Sequence, residues 1–371
     1  MKIVFVSGFL NNHLLPFCVE LAKNNEFYFI ATQGRMNKGY NRDSLQFDFV
    51  INYFEEQNKQ LSENLIRVSD VAIFGGSSDN LLKIRKQTGK LSFIYTERLF
   101  KGGTWRRFIP STRKIYSNRF IENGNNTYIL CASSYVKSDV QLLGFNPEKC
   151  YRFGYLPLSG DGISEEQLSS KCNNMPVELL YVGRLIKLKR VNDVIKCVSQ
   201  LTKLGVYTHL TIIGDGPERQ ELEILVRKLK LEDRIRFIGF QPPDIVYYYM
   251  RKSNVLFFSS NKQEGWGAVV NEALFNGCSV LVSDSCGSAK YLIKNGINGY
   301  VYKTGNVRDM SLKAMEIIGK ANQESLYKAA QDTICQCWNG EIAAERFQII
   351  CNALIEGKII DDYSDGPMSK A

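Results

Sequence analysis

Two neighbouring stretches decide how this chain is read: Val255-Leu256-Phe257-Phe258-Ser259-Ser260 and, after three intervening residues, Glu264-Gly265-Trp266-Gly267-Ala268-Val269-Val270-Asn271-Glu272-Ala273-Leu274. The first is a short apolar run ending in polar residues, the pattern of a buried strand leaving a sheet. The second carries a Gly-x-Gly turn followed by an apolar helix start. Strand, glycine turn and helix is how a sheet presents backbone N–H groups to a phosphate. Two carboxylates, Glu264 and Glu272, stand eight positions apart on either side of the turn. A carboxylate accepts two hydrogen bonds from a vicinal diol, so such a pair can hold two sugar rings at once. Read blandly, the same two residues are a solvated helix-start charge and a surface glutamate.

The rest of the chain repeats this rhythm. Strands are expected at 2–7, 26–32, 71–74, 91–95 and 127–132, with helices between them, for example at 14–24 and 78–88. Such alternation predicts a parallel sheet covered by helices. From Leu158 to Pro176 the pattern lapses into Ser, Gly, Asn and charged residues, which reads as an interdomain linker. A second set then begins: strands at 177–182, 209–213, 234–238, 255–259 and 279–283, and helices near 191–204 and 218–229. Pro217 suits the first turn of the last of these helices. The expected division is 1–165, 175–350, and a helix end with a flexible tail over 351–371. Ligands of doubly wound sheets bind outside the carboxyl ends of the strands. The loops at 8–13, 183–189, 214–217 and 264–267 all follow expected strands, so they are expected to converge on one cleft.

At 371 residues the chain exceeds one ordinary core. Hydrophobic residues make up 44% and charged residues 23%, an ordinary globular composition. No apolar run is long enough to span a bilayer, and the opening Met1-Lys2-Ile3-Val4-Phe5 reads as a strand rather than a secretory signal. The ten cysteines are scattered, mostly inside apolar segments, and Cys335 and Cys337 have neither redox nor zinc spacing. Reduced core thiols in a cytoplasmic protein are the expectation. With two histidines in the chain, no metal site is expected. The net charge of +9 is unevenly spread. From Arg98 to Arg119 seven cations (Arg98, Lys101, Arg106, Arg107, Arg113, Lys114, Arg119) occur without an acid, interleaved with Phe100, Trp105, Phe108 and Tyr116. That mixture suits an anionic membrane surface or a lipid-diphosphate head group; a solvated charged loop is the plain alternative. No nucleic-acid motif accompanies it.

Four segments of the second half, taken together, resemble the donor-binding domain of retaining glycosyltransferases of family 4. They are Val182-Gly183-Arg184-Leu185 with Lys189, Ile213-Gly214-Asp215-Gly216-Pro217, Arg236-Phe237-Ile238-Gly239, and Glu264-Gly265-Trp266-Gly267 with Glu272. Gly296-Ile297-Asn298-Gly299-Tyr300-Val301 closes the set. The resemblance covers residues 175–350, and the first half shares it only in outline. It implies an α/β protein of the GT-B fold, two Rossmann-like doubly wound domains facing across a cleft. It also implies a metal-independent, configuration-retaining enzyme that needs no cofactor and takes a nucleotide-diphosphate sugar as donor substrate.

Physical chemistry agrees with the implied roles. Transfer expels a diphosphate that gains negative charge, which fixed cations and a helix N-terminus stabilise. Arg184 and Lys189 correspond to the diphosphate-binding pair, a planar fork and a point charge. By resemblance Glu264 contacts the donor sugar and Glu272 the ribose diol. Gly265, Trp266, Gly267, Ala268 and Val269 present the backbone toward phosphate and sugar, and Gly183, Gly214 and Phe240 line the nucleotide side. Arg190 departs from the family, which has glycine after the lysine, leaving the path of that loop open. On the acceptor side Gly8, Glu97 and Arg98 are candidates, Glu97 standing where the family commonly has histidine. His13 is a candidate for hydrogen bonding or proton transfer at the reacting centre, or else a capping or surface residue. His209 is expected to be structural. The implied partners are a nucleotide-sugar donor, a lipid-linked or oligosaccharide acceptor, and the inner face of a membrane met by the stretch from Arg98 to Arg119. Two alternatives use the same features: a nucleotide-sugar 2-epimerase, and a non-catalytic nucleotide-sugar-binding subunit.

Overall fold

The computed structural model describes residues 1–33, 47–76, 79–120, 126–157, 162–173, 175–359 and 362–371. The chain divides into two compact units, residues 1–159 with 337–371, and residues 160–336.

The first unit runs β1 (Lys2–Ser7), α1 (Leu15–Asn24), β2 (Glu26–Ala31), β3 (Val50–Asn52), α2 (Glu56–Val68), β4 (Val71–Phe74), α3 (Asp79–Lys86), β5 (Ser92–Thr96), α4 (Pro110–Phe120), β6 (Thr127–Cys131), α5 (Val136–Gln141) and β7 (Cys150–Arg152). Its seven strands lie in the order β3-β2-β1-β4-β5-β6-β7, every pairing parallel. Ile3, Val4, Phe5 and Val6 are all buried, the continuous apolar run of a strand covered on both faces. Arg85 of α3 is buried too, and its guanidinium donates to the carbonyls of Ile66, Ser69, Asp70 and Leu91, closing the ends of α2 and the β4–β5 region.

The second unit runs α6 (Glu165–Lys171), β8 (Val177–Val182), α7 (Val191–Lys203), β9 (Thr208–Ile213), α8 (Arg219–Lys228), β10 (Ile235–Gly239), α9 (Pro243–Lys252), β11 (Val255–Phe258), α10 (Ala268–Phe275), β12 (Ser279–Ser283), α11 (Ala289–Leu292), β13 (Gly299–Tyr302), α12 (Val307–Ile318) and α13 (Glu324–Cys335). Its sheet has the order β10-β9-β8-β11-β12-β13, again all parallel. The order reverses at β8 and β11, and a crevice opens at such a switch point beyond the strand ends.

The two parallel sheets with interleaved helices agree with the expected fold class. The boundaries differ from the expected ones. Residues 162–173, expected to be linker, include α6, capped by a reciprocal Ser164–Gln167 box. The last helix, α14 (Gly340–Glu356), packs on α1 of the first unit, with the Phe347 ring 5.5 Å from Phe17 and 5.0 Å from Phe93. Periodicity alone marks such a helix as amphipathic without saying which sheet it covers. The expected flexible tail is also docked. Arg152 N–H donates to Ser369 O at 2.7 Å, and Met368 N–H returns to Arg152 O at 2.7 Å. Lys370 bridges Tyr151 antiparallel, and Met368 is buried at 1% exposure. These contacts occupy the hydrogen-bonding edge of β7 that would otherwise face solvent.

Candidate active site

In the second unit the expected donor loops stand at the carboxyl ends of β8, β9, β10 and β11. The loop after β8 carries Gly183, Arg184 and Lys189; that after β11 carries Glu264. Lys189 and Glu264 meet as an ion pair of 2.5 Å, each side chain 17% exposed. The Lys189 ammonium also lies 5.0 Å from the centre of the Phe258 ring. Backbone contacts clamp the two loops together: Ser259 Oγ donates to Lys189 O at 2.6 Å and Asn261 N–H to Leu188 O at 2.8 Å. The pair therefore bridges the two strands at which the sheet order reverses. Arg184 is exposed, and its side chain has no hydrogen-bonding or ion-pair partner among the described residues.

Gly214 shows why the turn after β9 needs glycine. Its φ is 131°, and a Cβ there would fall 1.9 Å from Gly183 O. The two backbones meet because Gly214 N–H donates to Gly239 O at 2.8 Å while Gly183 N–H donates to Ile213 O at 3.0 Å. Phe240, next along, is 81% exposed, an apolar face at the strand end.

Helix α10 begins at Ala268, with Gly267 left-handed at its N-cap and no side chain capping it. A Cβ on Gly267 would meet the Phe258 ring at 2.8 Å and Cys286 Sγ at 2.9 Å. The N–H groups of Ala268 and Val269 have no acceptor among the described residues, so they stand ready for an anion. Trp266 is a wedge: its ring is buried at 1% exposure and its indole N–H donates to Asn271 Oδ1 at 2.6 Å. Its carbonyl takes Ser288 N–H and the Cys286 thiol. The Trp266 side chain thus holds the Gly-Trp-Gly loop from behind.

Glu272 lies one turn into α10, half-buried, its carboxylate without a hydrogen-bonding partner among the described residues. Burial pushes its pKa up to about 7, because a desolvated carboxylate favours the neutral form. Arg190 occupies the position where glycine was expected, with φ 51° and ψ 41°, the left-handed conformation a glycine would take. Its guanidinium reaches Asp193 at 2.7 Å, so an ion pair accompanies the strained backbone.

In the first unit the acceptor-side candidates also follow strands. His13 lies in the turn after β1, and Asn11 Oδ1 accepts both His13 N–H and Leu14 N–H at 3.0 Å. Burial lowers the His13 pKa, which keeps the imidazole neutral at neutral pH. Glu97 follows β5, but its carboxylate is occupied, by Lys101 Nζ at 2.5 Å and by Tyr155 Oη at 2.6 Å. The Tyr155 ring in turn stacks on His13, centroids 4.8 Å apart and planes 7° from parallel. Tyr155 was not among the expected residues; it lies just past β7, a three-residue strand that the sequence reading missed. Arg98 lies over the Tyr135 ring at 4.1 Å. Gly8 faces Gln33, where a Cβ would sit 3.2 Å from the side-chain amide. His209 stands at the amino end of β9, with Nδ1 3.5 Å from Glu178 Oε1, away from the carboxyl strand ends that carry the candidate loops.

The basic stretch is narrower than its composition implies. Lys101 is paired with Glu97, Arg119 with Asp79 at 3.0 Å, and Arg98 is stacked. What faces outward is Arg106, Arg113 and Lys114 with Trp105, Phe108 and Ile115, Trp105 and Phe108 being 59% and 71% exposed. No helix among the described residues is long and apolar enough to cross a membrane.

Residues 163–333 match the family model described as glycosyl transferases group 1. The N-acetyl-alpha-D-glucosaminyl L-malate synthase of Bacillus anthracis is 29% identical over 160 residues, 40% of each chain. The chain spans 40–44% of the length of that relative and of two further curated ones. The lipopolysaccharide 1,6-galactosyltransferase of Salmonella typhimurium is 25% identical over 342 residues, 83% of this chain and 87% of that one. Among solved structures, Anabaena Alr3699/HepE in complex with UDP superposes with a TM-score of 0.70 at 15% identity, over 95% of this chain and 100% of that one. At that identity the likeness carries the fold, which is GT-B. Together the matches make residues 163–333 similar to group 1 glycosyltransferases.

Proposed function

We propose that the chain is a metal-independent, configuration-retaining glycosyltransferase of family 4. In this reading it moves a sugar from a nucleotide-diphosphate sugar to a lipid-linked glycan acceptor during surface-polysaccharide assembly. The observation that carries it is the Lys189–Glu264 pair at the switch point of the second sheet, beside the open N-terminus of α10. One group in that pair is suited to a departing anion and the other to sugar hydroxyls.

The bond from the sugar to the diphosphate breaks, and its electron pair leaves with the diphosphate. Arg184, Lys189 and the Ala268 and Val269 N–H groups take up that charge. Glu264 accepts hydrogen bonds from the transferred sugar, and Glu272 from the ribose diol. The acceptor hydroxyl attacks on the face the diphosphate leaves and passes its proton to the departing diphosphate oxygen, with His13, Glu97 and Arg98 on the acceptor side. The relatives' names, a galactosyltransferase and a glucosaminyl-malate synthase among them, support sugar transfer from an activated donor. The UDP complex of the structural neighbour makes uridine nucleotides the first donors to try.

Arg184→Ala decides the reading. Loss of a charge-assisted contact costs roughly 1.5–3 kcal/mol, about one to two orders of magnitude in rate. Near-normal turnover by a folded Arg184→Ala protein would overturn it. A thermal-shift panel of nucleotides and nucleotide sugars identifies the donor, since a ligand of the folded state raises its stability. The exposed Arg106, Arg113, Trp105, Phe108 and Ile115 form the surface proposed to meet an anionic bilayer. Reversing both arginines is expected to abolish binding to phosphatidylserine vesicles while sparing donor hydrolysis, and unchanged vesicle binding would remove that surface from the proposal.

A further inference from the structure

His13 and Tyr155 lie far apart in the first unit's sequence, yet four contacts tie them, Glu97 and Lys101 into one assembly. Leu156 N–H donates to His13 O at 2.9 Å, joining the two loops through their backbones. The Tyr155 ring covers one face of the imidazole, nearly parallel to it at 4.8 Å. The Tyr155 hydroxyl is then fixed by Glu97 at 2.6 Å, and Lys101 holds the other oxygen of that carboxylate at 2.5 Å. All four residues lie beyond the carboxyl ends of parallel strands, where doubly wound sheets bind ligands.

Neither imidazole nitrogen has a hydrogen-bonding partner among the described residues, while the backbone of His13 is held by Asn11 and by Leu156. A ring fixed in orientation but with free edges is suited to hydrogen-bonding something from outside the protein. The groups around it are few. The Tyr155 phenol faces it, Glu97 and Lys101 stand behind that phenol, its own turn supplies the neutral Asn11, and α1 has no acid in its first turn. Glu97 is therefore built into the support, with both carboxylate oxygens already engaged.

We propose that Tyr155 is a positioning residue: anchored through its hydroxyl on Glu97, it holds the His13 imidazole by stacking so that a free ring nitrogen meets the attacking hydroxyl of the acceptor. The proposal rests on the glycosyltransferase reading above. In it Glu97 acts through Tyr155, and His13 is the group that touches substrate.

The chain's second histidine makes the test direct. In a His209→Gln background His13 gives the sole imidazole signal, and its titration and line width are read by NMR in the intact chain. Tyr155→Leu removes the stack; Tyr155→Phe keeps it and removes the anchor. The expected result is an upward move of the His13 titration by about half a unit or more in Tyr155→Leu, as the ring gains solvent. Tyr155→Phe is expected to stay close to the parent titration, with a more mobile ring. Hydrolysis of the nucleotide sugar selected by the thermal-shift panel is expected to fall about tenfold in Tyr155→Leu. The acid limb of its pH profile is expected to follow the shifted titration, and Tyr155→Phe to recover most of the rate. A folded Tyr155→Leu protein with unchanged His13 titration and line width overturns the proposal. Should that variant not fold, unchanged ring mobility in Tyr155→Phe does the same. A wild-type protein that binds no nucleotide sugar instead overturns the donor reading, leaving the titration to judge Tyr155 on its own.

Discussion

The Lys189 ammonium and the Glu264 carboxylate meet at 2.5 Å across the two strands where the second sheet reverses its order. Both side chains are mostly buried, so removing either leaves its partner unpaired at the site. If the two hold one donor, Lys189→Met and Glu264→Gln each cost roughly 1.5–3 kcal/mol in transition-state binding, about ten- to a hundredfold in kcat/KM. The double variant is expected to lose less than the sum, with a coupling of about 0.5–3 kcal/mol. Each single change is also expected to lower the unfolding free energy, toward the lower end of about 3–5 kcal/mol, because it leaves a mostly buried charge unpaired. Simple additivity in a double-mutant cycle of transfer rates would show that the two groups act on different things.

Glu272 makes the protein's stability and its nucleotide affinity depend on pH in opposite ways. Its folded pKa is raised from 4.5 to about 7 by burial. Between those values the folded state holds a proton that the unfolded chain has lost, so stability falls as pH rises through that interval and is level above it. A ribose diol needs the ionised carboxylate, so nucleotide affinity is expected to rise through about pH 7. Glu272→Gln is expected to flatten both dependences and to melt higher than wild type at about pH 8. Melting curves and nucleotide titrations between about pH 5 and pH 8 read both effects. Parallel pH dependence of melting in the two proteins would remove Glu272 as their source.

The placement of the loops proposed to hold the donor was legible because they lie in contiguous strand–turn–helix signals. Gly214 and Gly267 mark backbones that cannot admit a Cβ, and Lys189 and Glu264 stand at fixed offsets from their strands. The cluster proposed to meet the acceptor was legible only in part. His13 and Glu97 follow long apolar strands and were visible, but Tyr155 follows the three-residue β7, too short to show periodicity. The partnership of Glu97 with Tyr155 spans 58 positions and leaves no local trace. The same limit explains α14: its apolar stripe is evident, but the unit it covers is decided by Phe17 and Phe93, which lie far away in sequence.

Arg190 tests whether a left-handed backbone or an ion pair governs the loop after β8. Glycine there removes the strain of φ 51°, a gain of about 1 kcal/mol, but gives up the 2.7 Å contact with Asp193. Arg190→Gly is therefore expected to be within about 1 kcal/mol of wild type in urea unfolding. Arg190→Ala keeps the strain and loses the pair, so it is expected to be about 1 kcal/mol less stable than Arg190→Gly. Because Lys189 precedes it directly, donor affinity is expected to follow the loop: retained in Arg190→Gly, reduced in Arg190→Ala. Equal stability and affinity in the two variants would show that backbone conformation at 190 has no hold on Lys189.

The docked segment at 366–371 protects an edge rather than merely ending the chain. Met368 is buried beside β7, and the flanking N–H and C=O groups pair with Cys150 and Arg152. Met368→Ala removes buried volume, and as the segment can relax the expected cost is roughly 2–3 kcal/mol, toward the lower end for buried methionine. Removing residues 366–371 is expected to do more: the Arg152 amide loses its partner and the β7 edge is left open to a second chain. Fast hydrogen exchange at Arg152 with concentration-dependent light scattering is the expected signature. If the shortened protein scatters no more than the unshortened one and the Arg152 amide stays protected, the edge is covered by other means and the segment's role is limited to packing Met368.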